Sequence, residues 1–212
     1  MSDLKYTARR NKLVEELRKK GITNEKVLSA ISIVPRHLFF EKSIVEYAYD
    51  DKAYPIKAGQ TISQPYTVAF QSQLLQVKQG DRILEIGTGS GYQCAVLLEL
   101  GAKVYSIERQ EELFNTTYKL LHDLKYRPTM KFGDGYKGWQ GYAPFDKIII
   151  TASPPEIPKE LLNQLAVGGC MVLPVGEGRN QEMIRIQKIS ETEFSTENFG
   201  NFAFVPMLKG IS

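Results

Sequence analysis

The sequence has few of the residues that build metal sites and disulfide frameworks. It contains only two cysteines, Cys94 and Cys170, and two histidines, His37 and His122, among its 212 residues. The cysteines lie far apart in apolar or glycine-flanked segments, which is typical of buried thiols in a reducing compartment. Neither lies in a Cys-x-x-Cys motif or a Cys/His cluster. The sequence therefore predicts no metal site and favours a cytoplasmic protein.

Long apolar runs and a strong excess of one charge are also missing. The N-terminal segment 1–20 is charged and amphipathic, and no later stretch approaches the roughly 18 apolar residues of a membrane span. Lysine and arginine number 27 against 24 aspartates and glutamates, and they are spread along the chain. No basic stripe that would release counterions from DNA or RNA is visible. We therefore expect neither a membrane nor a nucleic-acid partner.

Helices and one loop are predicted before the central part of the chain. Apolar residues recur at helical spacing over 4–20, and Gly21 suits the left-handed turn that ends a helix. A second helix is expected over about 24–34. Residues 51–65 contain two prolines and a glycine, so they predict an ordered loop, and Pro65 is suited to the first position of a third helix.

From residue 81 onward, short apolar runs alternate with helical segments. Strands are expected at RILEI (82–86), KVYSIE (103–108), TMKF (129–132), KIIITA (147–152) and CMVLPV (170–175), with helices near 92–100, 111–124 and 159–165. EMIRIQKI (182–189) and NFAFVPM (201–207) predict a terminal antiparallel pair. The predicted fold is therefore α/β: a Rossmann-like, doubly wound, mainly parallel seven-stranded sheet with helices on both faces and an N-terminal helical extension.

The length and the 42% hydrophobic content fit a single domain over 1–212. Within it, we expect the N-terminal helices and a covering loop at 1–78. The cofactor-binding core is expected at 79–176 and the C-terminal antiparallel strands at 177–212.

A glycine-rich turn follows the first strand of the predicted sheet. The segment GTGSG (87–91) places Gly87, Thr88, Gly89 and Gly91 between a strand and a helix, and glycine lets a ligand approach the backbone closely. The third glycine follows the second by two residues, whereas the dinucleotide pattern has three. The turn therefore predicts a site for a nucleoside-like ligand.

Acidic residues near this turn narrow the choice of ligand. Glu85 precedes the turn, where a carboxylate favours a cation such as S-adenosylmethionine over the pyrophosphate of NAD. Glu108 ends the next strand, where an acid can accept both ribose hydroxyls, with a solvated surface charge as the alternative. Asp134, followed by Gly135, can accept a hydrogen bond from the adenine amino group, with a simple turn as the alternative. S-adenosylmethionine is the predicted cofactor, and S-adenosylhomocysteine the product.

The sequence closely resembles the protein-L-isoaspartate (D-aspartate) O-methyltransferase family over most of its length. The likeness rests on GQTISQPYTVAF (59–70), LEIGTGSGYQ (84–93), GDGYKGW (133–139) and the block at 143–169. LEIGTGSGYQ is typical of the class I S-adenosylmethionine-dependent methyltransferases, whereas GQTIS and GDGYKGW are typical of the family. Phe70 stands where the family often has methionine, and Cys94 where alanine is common.

This resemblance implies a repair enzyme that methylates the free α-carboxylate of L-isoaspartyl residues in damaged proteins and peptides. The methyl ester would then reclose to a succinimide, which begins the conversion back to aspartyl. The resemblance also implies that the loop with Thr61 and Ile62 closes over S-adenosylmethionine, and that Val205 lines the peptide groove. A monomer is expected, because a groove for protein substrates needs free surface.

The reaction needs orientation more than acid–base chemistry. A carboxylic acid is already ionised at pH 7, so no general base is needed. Ser63 is expected to hold the acceptor carboxylate through its hydroxyl, because a neutral donor orients it without stabilising the ionised ground state as an arginine would. The alternative role for Ser63 is a helix cap beside Pro65.

Two other functions remain open on the sequence. A nucleic-acid methyltransferase can share this fold, although TASPP (151–155) lacks the Asn or Asp of an amine-methylating Asn-Pro-Pro-Tyr site, and no Pro-Cys nucleophile is present. A binding protein without turnover can also keep the fold. The intact TIS segment (61–63) argues against that second alternative.

Overall fold

The computed structural model describes residues 2–178 and 180–212. The helices are α1 (Ser2–Lys19), α2 (Glu25–Ile33), α3 (Pro65–Leu75), α4 (Tyr92–Glu99), α5 (Glu111–Asp123) and α6 (Lys159–Asn163). The strands are β1 (Tyr54–Pro55), β2 (Thr61–Ile62), β3 (Arg82–Ile86), β4 (Lys103–Glu108), β5 (Thr129–Phe132), β6 (Phe145–Ile150), β7 (Leu165–Glu177), β8 (Asn180–Lys188) and β9 (Phe194–Phe202). In the part of the chain that the structure describes, no helix is both long and apolar enough to cross a membrane.

Seven strands form one sheet in the order β5-β4-β3-β6-β7-β8-β9. The pairs within β3 to β7 are parallel, and β8 and β9 are added antiparallel at one side. The direction of winding reverses between β3 and β6, so this is the point where ligands of open α/β sheets bind, outside the carboxyl ends of the strands. The predicted α/β fold with a mainly parallel seven-stranded sheet is confirmed.

The two faces of the sheet are covered unequally. Ile83, Val104 and Ile149 pack into a large core with residues of α1 to α4 and with Leu121 of α5. Their neighbours Leu84 and Ile148 point into a second core with α6, the segment around Trp139 and the apolar residues of β7 and β8. Since side chains alternate along a strand, strands apolar on both faces are required by a sheet that is buried on both sides.

Local signals in the sequence explain several element boundaries. The Asn24 side chain accepts hydrogen bonds from the backbone N–H groups of Lys26 and Val27 and so caps α2. Pro65 is the first residue of α3, as predicted, and the predicted ends of most core elements agree within a few residues. The 51–65 loop contains the short antiparallel pair β1–β2.

The position predicted for the last strand is wrong. The strand that pairs with β8 is β9, Phe194–Phe202, so only the first two residues of NFAFVPM (201–207) belong to it. The remainder leaves the sheet, and Pro206 forms a single parallel bridge with Ser153. Most residues of β9 are exposed, and its sequence, FSTENFGNF, shows no alternation of apolar and polar residues. The following segment is more apolar, and it lies along the carboxyl edge of the sheet.

Candidate active site

A cavity lies at the carboxyl ends of β3 and β4, next to the point where the winding reverses. It encloses about 830 Å³, open solvent at its mouth included. Eight of the residues predicted to bind cofactor or substrate line it: Thr61, Ser63, Gly87, Thr88, Gly89, Glu108, Gly135 and Val205. We call it the donor cavity.

The glycine turn forms the floor of the donor cavity. Gly87 and Gly89 have positive φ angles of 93° and 53°, which side chains rarely adopt. A Cβ atom on Gly87 would lie 2.7 Å from Oγ1 of Thr151, which donates hydrogen bonds to the carbonyl oxygens of Ile86 and Gly87 at 3.0 and 2.7 Å. The backbone is therefore exposed to a ligand where the sequence predicted it.

Glu108 is fixed at the cavity wall by the turn itself. It is only 4% exposed, and its two carboxylate oxygens accept hydrogen bonds from the backbone N–H groups of Gly89 and Gln110 at 2.8 and 2.9 Å. Each oxygen keeps capacity for another donor. A rigid acid with spare acceptor capacity fits the paired hydroxyls of a ribose, and the simple alternative of a solvated surface charge is wrong.

The loop around β2 lies across the glycine turn. The side chain of Ile56 is the nearest group to the space above Gly89, at 3.9 Å from the position of an added Cβ. Lys57 ties the loop to α5 through a 2.9 Å ion pair with Glu112. Thr61 lines the cavity, whereas the side chain of Ile62 is 1% exposed and packs into the large core. Ile62 therefore anchors the loop.

Gly91 does not line the donor cavity. A Cβ atom on it would lie 2.7 Å from Cγ2 of Thr117 and 3.2 Å from the side chain of Leu121. Both residues belong to α5. The third glycine of the turn therefore allows the beginning of α4 to pack against α5.

Glu85 was expected to favour a cationic ligand through its negative charge, and the structure does not support this role. Its side chain is fully buried beneath the turn and is not part of the cavity wall. Burial raises the pKa of this carboxyl to about 8, although a 2.5 Å hydrogen bond from Oγ of Ser106 opposes the shift. Ser106 in turn lies 2.6 Å from Oγ1 of Thr88. Glu85 is therefore mainly protonated at pH 7 and supports the floor through a hydrogen-bonded chain.

Asp134 is also absent from the cavity wall. One carboxylate oxygen accepts a hydrogen bond from the N–H of Tyr136 at 2.9 Å, and the other accepts one from the N–H of Gly210 at 2.9 Å. The hydrogen bond with Tyr136 closes a simple turn, which was the alternative role considered for Asp134. The hydrogen bond with Gly210 holds the C-terminal segment in place, which the sequence did not predict.

That C-terminal segment closes one side of the donor cavity. Pro206, Met207 and Leu208 line it together with the predicted Val205. Beyond them, Ser212 exchanges backbone hydrogen bonds with Arg109 and Glu111, at 2.9 Å each. The segment is therefore fastened at both sides of the cavity.

Gln93 is a candidate ligand-binding residue that sequence reasoning missed. It lines the donor cavity, and its Nε2 donates a 3.0 Å hydrogen bond to Oγ of Ser72. Its Oε1 is buried and has no partner among the described residues. A buried acceptor without a partner is costly, so this atom fits the ammonium group of a ligand. Gln93 is the last residue of LEIGTGSGYQ, and this position beside the glycine turn could have identified it as a ligand-binding residue.

A second groove adjoins the donor cavity. It encloses about 1250 Å³, open solvent included, and is lined mainly by α3 and by residues 199–205. Thr61, Ser63, Thr151 and Val205 line both spaces. We call this second space the acceptor groove, and Ser63 lies on the wall that it shares with the donor cavity.

The hydroxyl of Ser63 makes no hydrogen bond with any described residue. The residue that caps α3 is Gln64, and it makes no side-chain cap bond, so the alternative role of Ser63 as a cap is wrong. The carboxylate of Asp51 instead accepts a 2.7 Å bond from the N–H of Tyr66 and fixes the start of the helix. The Ser63 hydroxyl is therefore available to donate a hydrogen bond to a ligand in the groove.

Arg36 fixes the backbone of Ser63 through a hydrogen bond to its carbonyl oxygen. Its side chain is fully buried, and its Nη2 donates a 2.8 Å hydrogen bond to the carbonyl oxygen of Ser63. The Nε group donates to the carbonyl of Ala48 at 2.9 Å, and the guanidinium lies 4.5 Å from the ring centre of Tyr92. Burial lowers the pKa of Arg36 to about 10, so it remains cationic at pH 7. Sequence reasoning missed this role.

Within the described part of the chain, no group of three or more His, Cys, Asp or Glu residues could hold a metal ion.

Comparison with solved structures agrees with the fold. The crystal structure of a Plasmodium falciparum protein, described as a protein-L-isoaspartate O-methyltransferase in complex with S-adenosyl-L-homocysteine, matches with a TM-score of 0.84 and 24% identity, over 95% of this chain and 99% of that one. A second protein-L-isoaspartate O-methyltransferase matches with a TM-score of 0.84 and 27% identity, over 93% of this chain and 65% of that one. At 24% identity the first likeness shows the fold alone.

Sequence relatives identify the family. A protein-L-isoaspartate O-methyltransferase of Christiangramia forsetii is 57% identical over 97% of this chain and 96% of the relative. One of Flavobacterium psychrophilum is 59% identical over the same shares of the two chains. The sequence model of the protein-L-isoaspartate (D-aspartate) O-methyltransferase family matches residues 8–212. The chain therefore belongs to the protein-L-isoaspartate (D-aspartate) O-methyltransferase family.

Proposed function

We propose that this chain transfers a methyl group from S-adenosylmethionine to the free α-carboxylate of L-isoaspartyl residues in proteins and peptides. The observation that supports this most directly is the shared wall between the donor cavity and the acceptor groove, with the Ser63 hydroxyl on it. Methyl transfer needs donor and acceptor in contact while each occupies its own site, and two adjoining spaces meet that need.

The donor cavity fits S-adenosylmethionine, which supplies an electrophilic methyl group on a sulfonium when bound. Glu108 would accept the ribose hydroxyls, and Oε1 of Gln93 would accept from the ammonium group. The exposed backbone of Gly87 and Gly89 would contact the ligand directly. Four predicted residues would support the site without contacting the cofactor. Ile62 would anchor the loop and Glu85 the glycine turn. Gly91 would allow α4 to pack against α5, and Asp134 would hold the C-terminal segment.

Ser63 would donate a hydrogen bond to one oxygen of the acceptor carboxylate and so orient the other. Orientation of this kind can contribute several kcal/mol without any proton transfer. No Asp, Glu, Lys or Arg side chain lines the acceptor groove among the described residues. The acceptor therefore keeps its nucleophilic charge, because no cation in contact with it stabilises the ground state.

The division of the chain follows from this arrangement. We assign residues 1–78 to the support and cover of the site, 79–176 to cofactor binding and 177–212 to closure of the groove and cavity. The resulting methyl ester would reclose to a succinimide and begin repair of the damaged residue. A monomer is part of the proposal, because a protein substrate must reach the groove.

Transfer of radiolabelled methyl from S-adenosylmethionine tests the proposal. Three acceptors are compared: an isoaspartyl peptide, the same peptide with a normal aspartyl residue, and tRNA. We expect base-labile label on the isoaspartyl peptide alone. Label only on tRNA would support a nucleic-acid methyltransferase, and cofactor binding without label on any acceptor would support a binding protein. Either result would overturn the proposal.

A further inference from the structure

The acceptor groove continues beyond Ser63 onto four aromatic rings. Tyr66 and Phe70 come from α3, and Phe199 and Phe202 come from β9. The ring centres of Phe70 and Phe202 are 5.2 Å apart, those of Tyr66 and Phe202 are 6.4 Å apart, and those of Phe70 and Phe199 are 6.1 Å apart. All four rings line the groove. We call these four residues the aromatic shelf.

The aromatic shelf is held together by contacts among its rings and with a neighbouring arginine. Tyr66 and Phe70 are one helical turn apart, with ring centres at 5.6 Å. Phe199 is supported by Arg185, whose guanidinium lies 5.5 Å from the ring centre and forms a 2.6 Å ion pair with Glu197. The four rings are half-buried, so part of each is left for a ligand.

The surroundings of the aromatic shelf favour an uncharged occupant. The polar side chains that line the same groove are hydroxyls and the amides of Gln64 and Asn201, with no charged side chain among the described lining residues. A carboxylate or ammonium group placed there would lose water without contacting a charged side chain of the groove wall, and Arg185 beside Phe199 is already paired with Glu197. An aromatic or large aliphatic side chain would instead gain ring contacts and burial.

We propose that the aromatic shelf binds the side chain of a residue next to the isoaspartyl residue and selects acceptors in which that neighbour is aromatic or large and aliphatic. Ser63 and Tyr66 are only three residues apart and line the same groove. A peptide whose isoaspartyl residue is held at Ser63 therefore extends over the four rings. This inference rests on the proposed function and specifies its substrate class.

Matched isoaspartyl peptides test the inference. One set varies the residue before the isoaspartyl residue and a second set varies the residue after it, with Phe, Ala or Glu at that position. We expect kcat/KM to be about tenfold higher for Phe than for Ala at one of the two positions, with Glu below Ala and the difference mainly in KM. Equal values for Phe and Ala at both positions would overturn the inference and leave the proposed function intact.

Variants then assign the preference to the aromatic shelf. Phe202→Ala and Phe199→Ala should each reduce the Phe-over-Ala ratio to about threefold or less. Phe194→Ala is the control, since Phe194 lies on the same strand, is 36% exposed and does not line the groove. A Phe preference that survives both shelf variants would contradict the assignment. Thermal melting and S-adenosylhomocysteine affinity are measured for each variant, and Phe199, the more peripheral ring, keeps the test valid if Phe202→Ala fails to fold.

If the unmodified protein methylates none of these isoaspartyl peptides, the proposed function fails. If it methylates all of them equally, only the aromatic shelf loses its role. The two failures are therefore distinguishable in one experiment.

Discussion

The donor cavity and the acceptor groove meet at Ser63 but are built in different ways. The polar groups of the donor cavity come mainly from the backbone turn after β3, from the Gln93 amide and from the rigid acid Glu108 at the end of β4. The acceptor groove uses side chains of α3 and of residues 199–205, which lie more than a hundred positions apart in the sequence. The first fits a ligand of constant structure, whereas the second fits a class of ligands that share one feature.

The two sites combine strict and permissive binding in one fold. Hydrogen-bonding groups held by glycine turns and buried amides reject ligands that lack the matching donors. Aromatic surfaces without charge accept many side chains with modest differences in affinity. Changes on the donor side should therefore have larger effects than changes on the acceptor side.

Glu108→Ala should have the largest effect. The variant loses the proposed acceptor of the ribose hydroxyls and leaves two backbone N–H groups without partners, so we expect affinity for S-adenosylhomocysteine to fall on the order of 100-fold. Isothermal titration calorimetry measures it. Asp123→Ala removes an exposed acid at the last residue of the neighbouring helix α5 and serves as the control. An affinity within threefold of the unmodified protein would show that Glu108 has no role in the ligand site.

Ser63→Ala should separate the two sites. We expect turnover to fall about 30-fold, the effect of one hydrogen bond to a charged group, while S-adenosylhomocysteine affinity changes little. Steady-state kinetics with an isoaspartyl peptide and calorimetry with the cofactor product give the two numbers. Thr67→Ala, in the same groove, is the matched control for loss of a hydroxyl. Lost cofactor affinity with normal turnover would move Ser63 to the donor side.

Glu85→Gln should have the smallest effect on binding and a measurable effect on stability. Folded Glu85 keeps its proton up to about pH 8, whereas the unfolded chain releases it near 4.5. The free energy of unfolding therefore falls between these pH values as pH rises. The variant cannot ionise, so between pH 6 and pH 8.5 its Tm should fall less than that of the unmodified protein, by roughly 5 to 10 °C.

Glu85→Gln also tests whether Glu85 contributes a charge to the donor cavity. Because Glu85 is mainly neutral at pH 7, its replacement by glutamine should leave S-adenosylhomocysteine affinity within about threefold. A loss of 100-fold would mean that Glu85 acts as a charge after all. Calorimetry at pH 7 decides between the two.

The sequence predicted the donor side better than the acceptor side, for a physical reason. Gly87, Gly89 and Glu108 lie in or beside short segments whose strand, turn and helix pattern fixes where they meet. The same pattern does not reveal burial, so it misjudged Glu85, which lies beneath the turn and is protonated. It also could not reveal that Asp134 binds the C-terminal segment.

The acceptor side depends on contacts between segments distant in sequence. Ser63 was predicted from the resemblance to the family together with the chemistry of orienting a carboxylate, and the aromatic shelf was not predicted. Two of its rings come from β9, an exposed edge strand without apolar alternation. Local patterns do not determine which helix such a strand will face.

The hydrogen bond from Arg36 to Ser63 bears on how such enzymes can be redesigned. Arg36 lies between α2 and the loop, outside the nucleotide-binding core. Grafting the 59–65 loop onto another methyltransferase of the same core would therefore transfer the serine without its support. A chimera should hold the serine in its native position only when the helical segment that contains Arg36 is exchanged together with the loop.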